Sequence, residues 1–332
     1  MSKFKRTAEQ ITQTIKDEEF ESVEKQPLAW GNITTISTGS TLLDLNISGG
    51  RTPKGGIPGG VILEIAGPAG SGKTAILASI AADAQAKGGQ VMFLDPEARF
   101  DQQYAEIYGI HLEGEDYYRP NTVEEVFERI YKWKPRNPDA INVVITDSLA
   151  ALSTEMEMDD KDSYGMRRAK CFSEGLRKTA RMISNNKWII ACSNQQRDGQ
   201  YGATTPGGQA IKFYCSLRIS MKQVKKITKE KEFHGKKIAK DLGIESQCVV
   251  VKSSLDDPFR TCHVSILFKK GLDPLRDELS FCKTVTNETT YNCIDKNYMS
   301  LDKAVEYIRA KGYENQITEQ TIKLWLEIEN LF

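Results

Sequence analysis

Residues 61–74 read VILEIAGPAGSGKT, and this stretch decides the fold class. It begins with the nearly continuous apolar run of a buried strand, and Gly67 to Thr74 then fit the phosphate-loop pattern G-x-x-x-x-G-K-[ST]. Glycines let backbone N–H groups in such a loop point at phosphate oxygens, and the N-terminus of the following helix adds partial positive charge. Lys73 is expected to reach the β- and γ-phosphates, and Thr74 to offer its hydroxyl to Mg²⁺. The predicted loop contacts are Gly67, Pro68, Ala69, Gly70, Ser71, Gly72, Lys73, Thr74 and Ala75.

A second metal ligand is expected at the end of another apolar strand. Residues 142–147 read NVVITD, which would place the Asp147 carboxylate at the carboxyl edge of the sheet, beside the phosphate loop. The same pattern also fits an acid that only caps the next helix. Because a phosphate loop needs a partner for its metal, Thr74 and Asp147 are predicted to hold Mg²⁺ together.

The wider pattern predicts an α/β fold with a mainly parallel sheet. Short apolar runs that alternate with helical stretches are typical of a parallel sheet covered on both faces, and four such runs lie at 61–66, 91–95, 142–147 and 188–193. Three later runs have no long helix between them and are expected to add antiparallel strands, at 217–224, 247–252 and 263–268. Helical patterns at 301–311 and 318–331 indicate a small C-terminal module.

Composition narrows the class of protein further. The chain has 332 residues, 45 Lys plus Arg and 45 Asp plus Glu, which excludes a strongly basic coat protein or an acidic tail. No apolar stretch approaches the roughly 20 residues that a membrane helix needs. The 7 cysteines include no Cys-x-x-Cys pair, so we expect reduced, mostly buried thiols. These features predict a cytoplasmic protein that does not enter a membrane.

Five further motifs, taken in order, resemble those of the RecA-type recombinases: Thr35–Ser40 (TISTGS), Phe93–Glu97 (FLDPE), Asp147–Leu152 (DSLAAL), Ser193–Gln195 (SNQ) and Gly207–Tyr214 (GGQAIKFY). The resemblance covers residues 34–273 and implies a RecA-like P-loop ATPase core there. It also implies an N-terminal helical arm for polymerisation at 1–33 and a small C-terminal domain at 274–332. Departures from the pattern of cellular RecA proteins indicate a divergent member, compatible with a phage origin.

The resemblance implies roles for residues around the nucleotide. Glu97 matches the carboxylate that orients the water attacking the γ-phosphate, and Gln195 matches the residue that responds to that phosphate. Asp101 and Tyr104 match the residues beside the adenine. Without the family, Glu97 would be read as a capping or salt-bridged acid, Tyr104 as a core aromatic and Gln195 as a turn former.

One departure from the family concerns the contact between neighbouring subunits. Lys252 matches one of two lysines that reach the neighbouring subunit's ATP. The second of these positions is Ser254 here, which raises the question of how adjacent ATPase sites are coupled.

The resemblance also implies that two loops, at 156–165 and 196–208, face DNA. The first is rich in acidic residues, so phosphate contacts would come from backbone groups and from the helix after it. A solvated helix face is the alternative reading of the cations on that helix. The predicted DNA-binding residues are Lys170, Arg177, Arg197, Gly207, Gly208 and Gln209.

The function implied is that of an ATP-dependent DNA recombinase. Such a protein forms a helical filament on single-stranded DNA, pairs it with homologous duplex DNA and hydrolyses ATP with Mg²⁺ under DNA stimulation. The alternatives are a hexameric helicase or motor on the same core, and an accessory filament protein without strand exchange. A lysine-rich stretch at 222–240 predicts a protruding hairpin, which would either bind a second DNA or only protect a sheet edge.

Overall fold

The computed structural model describes residues 34–158, 166–199, 202–204 and 208–332. The predicted arm at 1–33, part of both predicted DNA loops and Gly207 lie outside these residues.

Most strands join one central sheet. In chain order the strands are β1 (Thr35–Ile36), β2 (Ile57–Pro58), β3 (Ile62–Gly67), β4 (Val91–Leu94), β5 (Tyr117–Tyr118), β6 (Val143–Thr146), β7 (Ile189–Gln195), β8 (Arg197–Gly199), β9 (Gly202–Thr204), β10 (Leu217–Phe233), β11 (Lys236–Ser253), β12 (Thr261–Leu267), β13 (Gly271–Leu272), β14 (Tyr291–Asn292) and β15 (Asn297–Tyr298). The central sheet has nine strands in the order β13-β12-β11-β10-β3-β7-β6-β4-β5.

Helices connect and cover these strands. They are α1 (Thr41–Ser48), α2 (Lys73–Ala86), α3 (Gln102–Tyr108), α4 (Val123–Lys132), α5 (Glu155–Met158), α6 (Met166–Asn185), α7 (Gly208–Tyr214), α8 (Pro274–Val285), α9 (Leu301–Lys311) and α10 (Glu314–Glu329), with 3₁₀ turns at Gly114–Asp116 and Leu149–Ala151.

The predicted mainly parallel α/β sheet is confirmed. Strands β10, β3, β7, β6, β4 and β5 run parallel to one another, whereas β11, β12 and β13 add antiparallel pairs at one edge. The strand that begins at Leu217 differs from the expectation, because it is parallel to β3 on one side and antiparallel to β11 on the other. Its connection from β7 contains α7, and a helical crossover returns the chain in the same direction.

The central strands are mostly apolar because helices cover them. One face carries Ile62, Val144 and Ile190, which pack in a cluster with Phe172 of α6 and Val126 of α4. Alternate residues of a strand point to the opposite face. The carboxyl ends of the buried parallel strands β3, β4, β6 and β7 meet at one edge of the sheet, and the predicted functional side chains lie at or just after these ends.

The C-terminal helices form a small core of their own. Leu279 of α8, Val305 and Ile308 of α9 and Ile317 of α10 are buried together. Helix α9 has the predicted bounds, whereas α10 begins at Glu314, ahead of the predicted start. Trp325 Nε1 donates a 3.2 Å hydrogen bond to Asn46 Oδ1 of α1.

All seven cysteines are free, and every one except Cys171 is buried. Among the residues that the structure describes, no helix is both long enough and apolar enough to span a bilayer.

Candidate active site

The phosphate loop links β3 to α2, as predicted. Gly70 and Gly72 have φ values of +73° and +91°, which residues with a side chain rarely adopt. A Cβ on Gly67 would lie 2.2 Å from the carbonyl oxygen of Met221 in β10, so a side chain there would push the sheet apart. The Ser71 hydroxyl donates to the Pro68 carbonyl at 2.9 Å and closes the turn. The glycines thus allow a tight loop whose tip is open to solvent.

Lys73 is the first residue of α2 and lies against this loop. Its side chain is only 8% exposed, and Nζ donates to the carbonyl oxygens of Gly67 at 3.0 Å and Pro68 at 2.8 Å. Burial lowers the pKa of Lys73, and the nearby carboxylates of Asp147 and Glu97 act in the opposite direction. The ammonium group is therefore held next to the loop in a setting that favours strong interaction with an anion.

Thr74 and Asp147 are in direct contact. Thr74 Oγ1 donates to Asp147 Oδ2 at 2.6 Å, and the Ser193 hydroxyl donates to the other carboxylate oxygen. Burial raises the pKa of Asp147, and the hydrogen bonds from Ser193 and Thr74 lower it. A hydroxyl and a carboxylate at the carboxyl edge of the sheet are the oxygen ligands that Mg²⁺ takes beside a bound phosphate.

Glu97 and Gln195 meet at the same edge. Gln195 Nε2 donates to Glu97 Oε1 at 3.3 Å, and Arg99 lies 2.8 Å from the other oxygen of Glu97. Gln195 ends β7 and pairs in register with Gly67, which fixes it beside the phosphate loop. The structure thus brings together the predicted Lys73, Thr74, Asp147, Glu97 and Gln195.

The residues present fit a magnesium nucleotide. The loop has the glycine geometry that lets backbone N–H groups surround phosphate oxygens, and a buried cation stands beside it. The Thr74–Asp147 pair would supply oxygen ligands for the metal.

Asp101 and Tyr104 lie at the start of α3. Asp101 is the N-cap of this helix, and its Oδ1 accepts the Tyr104 backbone N–H at 2.7 Å. The half-buried Tyr104 ring packs edge-to-face on Phe100, with 5.6 Å between the ring centroids. Burial raises the pKa of Tyr104, and the charge of Asp147 adds to this. Asp101 therefore fixes the first turn of the helix that carries Tyr104.

Lys252 lies apart from this group of side chains. Its Nζ donates to the carbonyl oxygens of Lys212 and Phe213, both at 2.9 Å. These carbonyls belong to the last turn of α7, where a cation also interacts favourably with the helix dipole. Ser254, at the second family position, bonds to the Ser216 carbonyl through both its hydroxyl (3.0 Å) and its backbone N–H (2.9 Å).

The structure describes some of the predicted DNA-binding residues. Lys170 and Arg177 are exposed on α6 and are separated by about two turns, so they share one face. Lys170 lies 3.9 Å from Glu174, a weak exposed pair. Gly208 and Gln209 begin α7, and Arg197 begins β8, which pairs antiparallel with β9. Gly207 and the side chains of Arg197 and Gln209 lie outside the described part.

Three features of the site were missed by sequence reasoning. Ser193 and Arg99 contact the predicted acids, and each stands in or beside one of the family motifs. The third is the fully buried Glu64 in β3, which accepts hydrogen bonds from Arg218 Nε at 2.5 Å and Asn194 Nδ2 at 2.9 Å. This network ties β10, β3 and β7 together below the loop. In the sequence, Glu64 could have been noticed as the one acidic residue inside the apolar run that precedes Gly67.

The fold and the site define a P-loop ATPase, with the loop after a central parallel strand and the acids at the ends of its neighbours. A family model described as the RecA N-terminal domain matches residues 4–273. The chain belongs to the RecA family. RecA proteins are DNA-dependent ATPases, and this chain shares that enzyme class.

Relatives named "Protein RecA" agree with this assignment. The chain is 35% identical to one from Clostridium novyi over 308 residues, which cover 90% of this chain and 82% of the relative. It is 34% identical to one from Clostridium acetobutylicum over 248 residues (73% and 67%). It is 35% identical to one from Thermus thermophilus over 253 residues (74% and 70%).

Proposed function

We propose that this chain is an ATP-dependent recombinase that assembles as a helical filament on single-stranded DNA and pairs that strand with homologous duplex DNA. The observation that carries the proposal is the contact between Gln195 and Glu97. Glu97 lies beside the phosphate loop, and Gln195 leads directly into β8 and β9 of the second predicted DNA loop. A change at the γ-phosphate would therefore be transmitted to the second DNA loop through the side chain of Gln195.

Within this function, the residues of the site have distinct roles. Lys73 holds the β- and γ-phosphates of ATP, and Thr74 and Asp147 hold Mg²⁺, which neutralises phosphate charge. Glu97 orients the attacking water. Its carboxylate is held in place by Gln195 and Arg99. Asp101 and Tyr104 are the proposed contacts to the adenine, and the loop residues Gly67 to Ala75 surround the phosphates.

Lys252 is proposed to act between subunits. It holds the last carbonyls of α7, whose first residues follow the second DNA loop. If Lys252 also reaches the ATP of a neighbouring subunit, that ATP and the DNA loop are connected through α7. Ser254 cannot share this role, because its short side chain is used on Ser216.

The proposed DNA contacts come from both loops and from α6, through Lys170, Arg177, Arg197, Gly207, Gly208 and Gln209. The proposed assembly uses residues 1–33 as the arm between subunits, 34–273 as the core and 274–332 as a C-terminal domain. We place the protein in the cytoplasm, where its seven free thiols would stay reduced.

Negative-stain imaging with single-stranded DNA and a slowly hydrolysed ATP analogue tests this function. Helical filaments that require both components are expected, and the Lys73→Ala variant should form none. Closed rings would instead identify a hexameric motor. No ordered assembly would contradict the proposal.

A further inference from the structure

A buried carboxylate, Asp95, lies between the end of β4 and the turn that carries Glu97. Its side chain is 1% exposed, and its Oδ2 accepts hydrogen bonds from the backbone N–H of Phe100 and from the hydroxyl of Tyr117, both at 2.8 Å. The bond from Phe100 closes the turn 95–100 around Glu97. The bond from Tyr117 comes from β5, the strand beside β4 at the edge of the central sheet. Asp95 therefore connects this turn to the sheet.

The backbone of this turn needs support from its surroundings. Ala98, directly after Glu97, has a φ of +54°, a value that residues other than glycine seldom adopt. Such conformations persist where the surrounding structure holds them in place. Here the end of the turn is held twice, because Asp95 accepts the Phe100 N–H and the Phe100 ring stacks on Phe93 of β4, with 4.1 Å between the ring centroids. The position of Glu97 therefore depends on Asp95.

The hydrogen bonds of Tyr117 have a defined direction. Arg119 Nε lies 3.0 Å from the hydroxyl oxygen of Tyr117, and because a guanidinium group only donates, the oxygen accepts this bond. The phenol hydrogen then points at Asp95, because a carboxylate only accepts. Burial raises the pKa of Tyr117, and the hydrogen bond to Asp95 adds to this, whereas the one from Arg119 opposes it. Tyr117 therefore keeps the hydrogen that it needs to hold Asp95.

We infer that Tyr117 is a positioning residue for ATP hydrolysis, which acts through Asp95 on the turn that holds Glu97 beside the phosphate loop. The inference rests on the proposed role of Glu97 in orienting the attacking water, and it adds the residues that keep this turn in place. A small displacement of a group that orients a reactant lowers the rate of reaction strongly. Nucleotide binding, by contrast, depends on the phosphate loop and Lys73. Tyr117 should therefore influence the hydrolysis step and leave the affinity for nucleotide unchanged.

Single-turnover ATP hydrolysis by the full chain, with saturating single-stranded DNA, tests this inference. Tyr117→Phe removes the hydroxyl but keeps the ring, and it should lower the hydrolysis rate about tenfold while binding of a fluorescent nucleotide matches the parent. Tyr118→Phe is the matched control, because it removes the hydroxyl of the next residue, whose ring packs on Arg129, and it should keep the parental rate. Asp95→Asn keeps an oxygen that accepts hydrogen bonds, so it should retain a higher rate than Asp95→Ala.

A double variant separates positioning of Glu97 from a general structural role. If Tyr117 acts through the Glu97 carboxylate, adding Tyr117→Phe to Glu97→Gln should lower the rate further by less than about twofold. A full additional loss in the double variant, a parental rate in Tyr117→Phe alone or an equal loss in Tyr118→Phe would each overturn the inference. A parental rate in Glu97→Gln would instead contradict the proposed role of Glu97, so the two failures are distinguishable.

Discussion

Thr74 and Asp147 are joined by a 2.6 Å hydrogen bond, although 73 residues separate them in the chain. The bond connects the first turn of α2 to the end of β6, so the two proposed oxygen ligands for Mg²⁺ are adjacent. The hydroxyl of Ser193, in β7, donates a hydrogen bond to the other carboxylate oxygen of Asp147. The parallel sheet thus holds the proposed metal ligands together at the ends of β3, β6 and β7.

Lys73 and Glu97 should give different phenotypes when replaced. Lys73→Ala removes the cation beside the loop and should abolish ATP-dependent DNA binding. Glu97→Gln keeps the hydrogen bond from Gln195 but loses the charge that orients water, so nucleotide binding should persist while turnover falls about 10²- to 10⁴-fold. Fluorescent nucleotide binding and single-turnover hydrolysis separate the two steps. Loss of nucleotide binding in Glu97→Gln would remove Glu97 from the catalytic role.

Ser193 should set the acid side of the pH profile for ATP hydrolysis. Its hydrogen bond lowers the pKa of Asp147, so Ser193→Ala should raise that pKa further. Mg²⁺ needs the ionised carboxylate, and the rise in ATPase activity with pH should therefore move to higher pH. The Ser193→Thr variant keeps a hydroxyl and serves as the control. An acid limb that stays in place in Ser193→Ala would contradict this role.

Lys252 should matter for coupling between sites and Ser254 should not. Lys252→Ala removes both hydrogen bonds to the end of α7, so we expect ATP binding to remain but DNA stimulation and cooperativity of hydrolysis to disappear. Ser254→Ala keeps the backbone bond to Ser216 and should retain both. ATPase titrations with single-stranded DNA compare the variants. Full DNA stimulation in Lys252→Ala would show that the coupling runs elsewhere.

Asp277 should make the protein less stable as pH rises. Burial raises the pKa of Asp277 from its ordinary value of 3.8 to about 8. Between these values the folded state keeps a proton that the unfolded chain releases, so the free energy of unfolding falls with increasing pH. From pH 5 to pH 8, Asp277→Asn should reduce this fall by about 1 kcal/mol or more in urea titrations.

Asp241→Asn is a suitable control for that measurement. Hydrogen bonds from Lys226 and Thr228 lower the pKa of Asp241, so it is ionised in both states above pH 5. This variant should leave the slope between pH 5 and pH 8 unchanged. An identical slope in Asp277→Asn and the parent would show that Asp277 does not carry the buried proton.

The sequence predicts the parts of the site that are local in the chain. The phosphate loop, Lys73 and the acids Glu97 and Asp147 each follow an apolar run, and parallel strands bring their carboxyl ends together. Ser193 and Arg99 were not assigned roles, because their partners are brought to them only by neighbouring strands and turns. The lysine-rich stretch at 222–240 predicts a protruding hairpin, but the predicted strands at 217–224 and 247–252 are shorter than β10 and β11, since an exposed, polar strand lacks the apolar alternation that marks a buried one.

Formation of joint molecules tests the recombinase assignment most directly. The purified protein would be mixed with ATP, Mg²⁺, single-stranded DNA and a supercoiled plasmid that is either homologous or unrelated to the strand. We expect joint molecules only with the homologous plasmid and only with ATP, and none with Lys73→Ala. Absence of joint molecules from a parent protein that forms filaments on the same single strand would contradict strand pairing as its function.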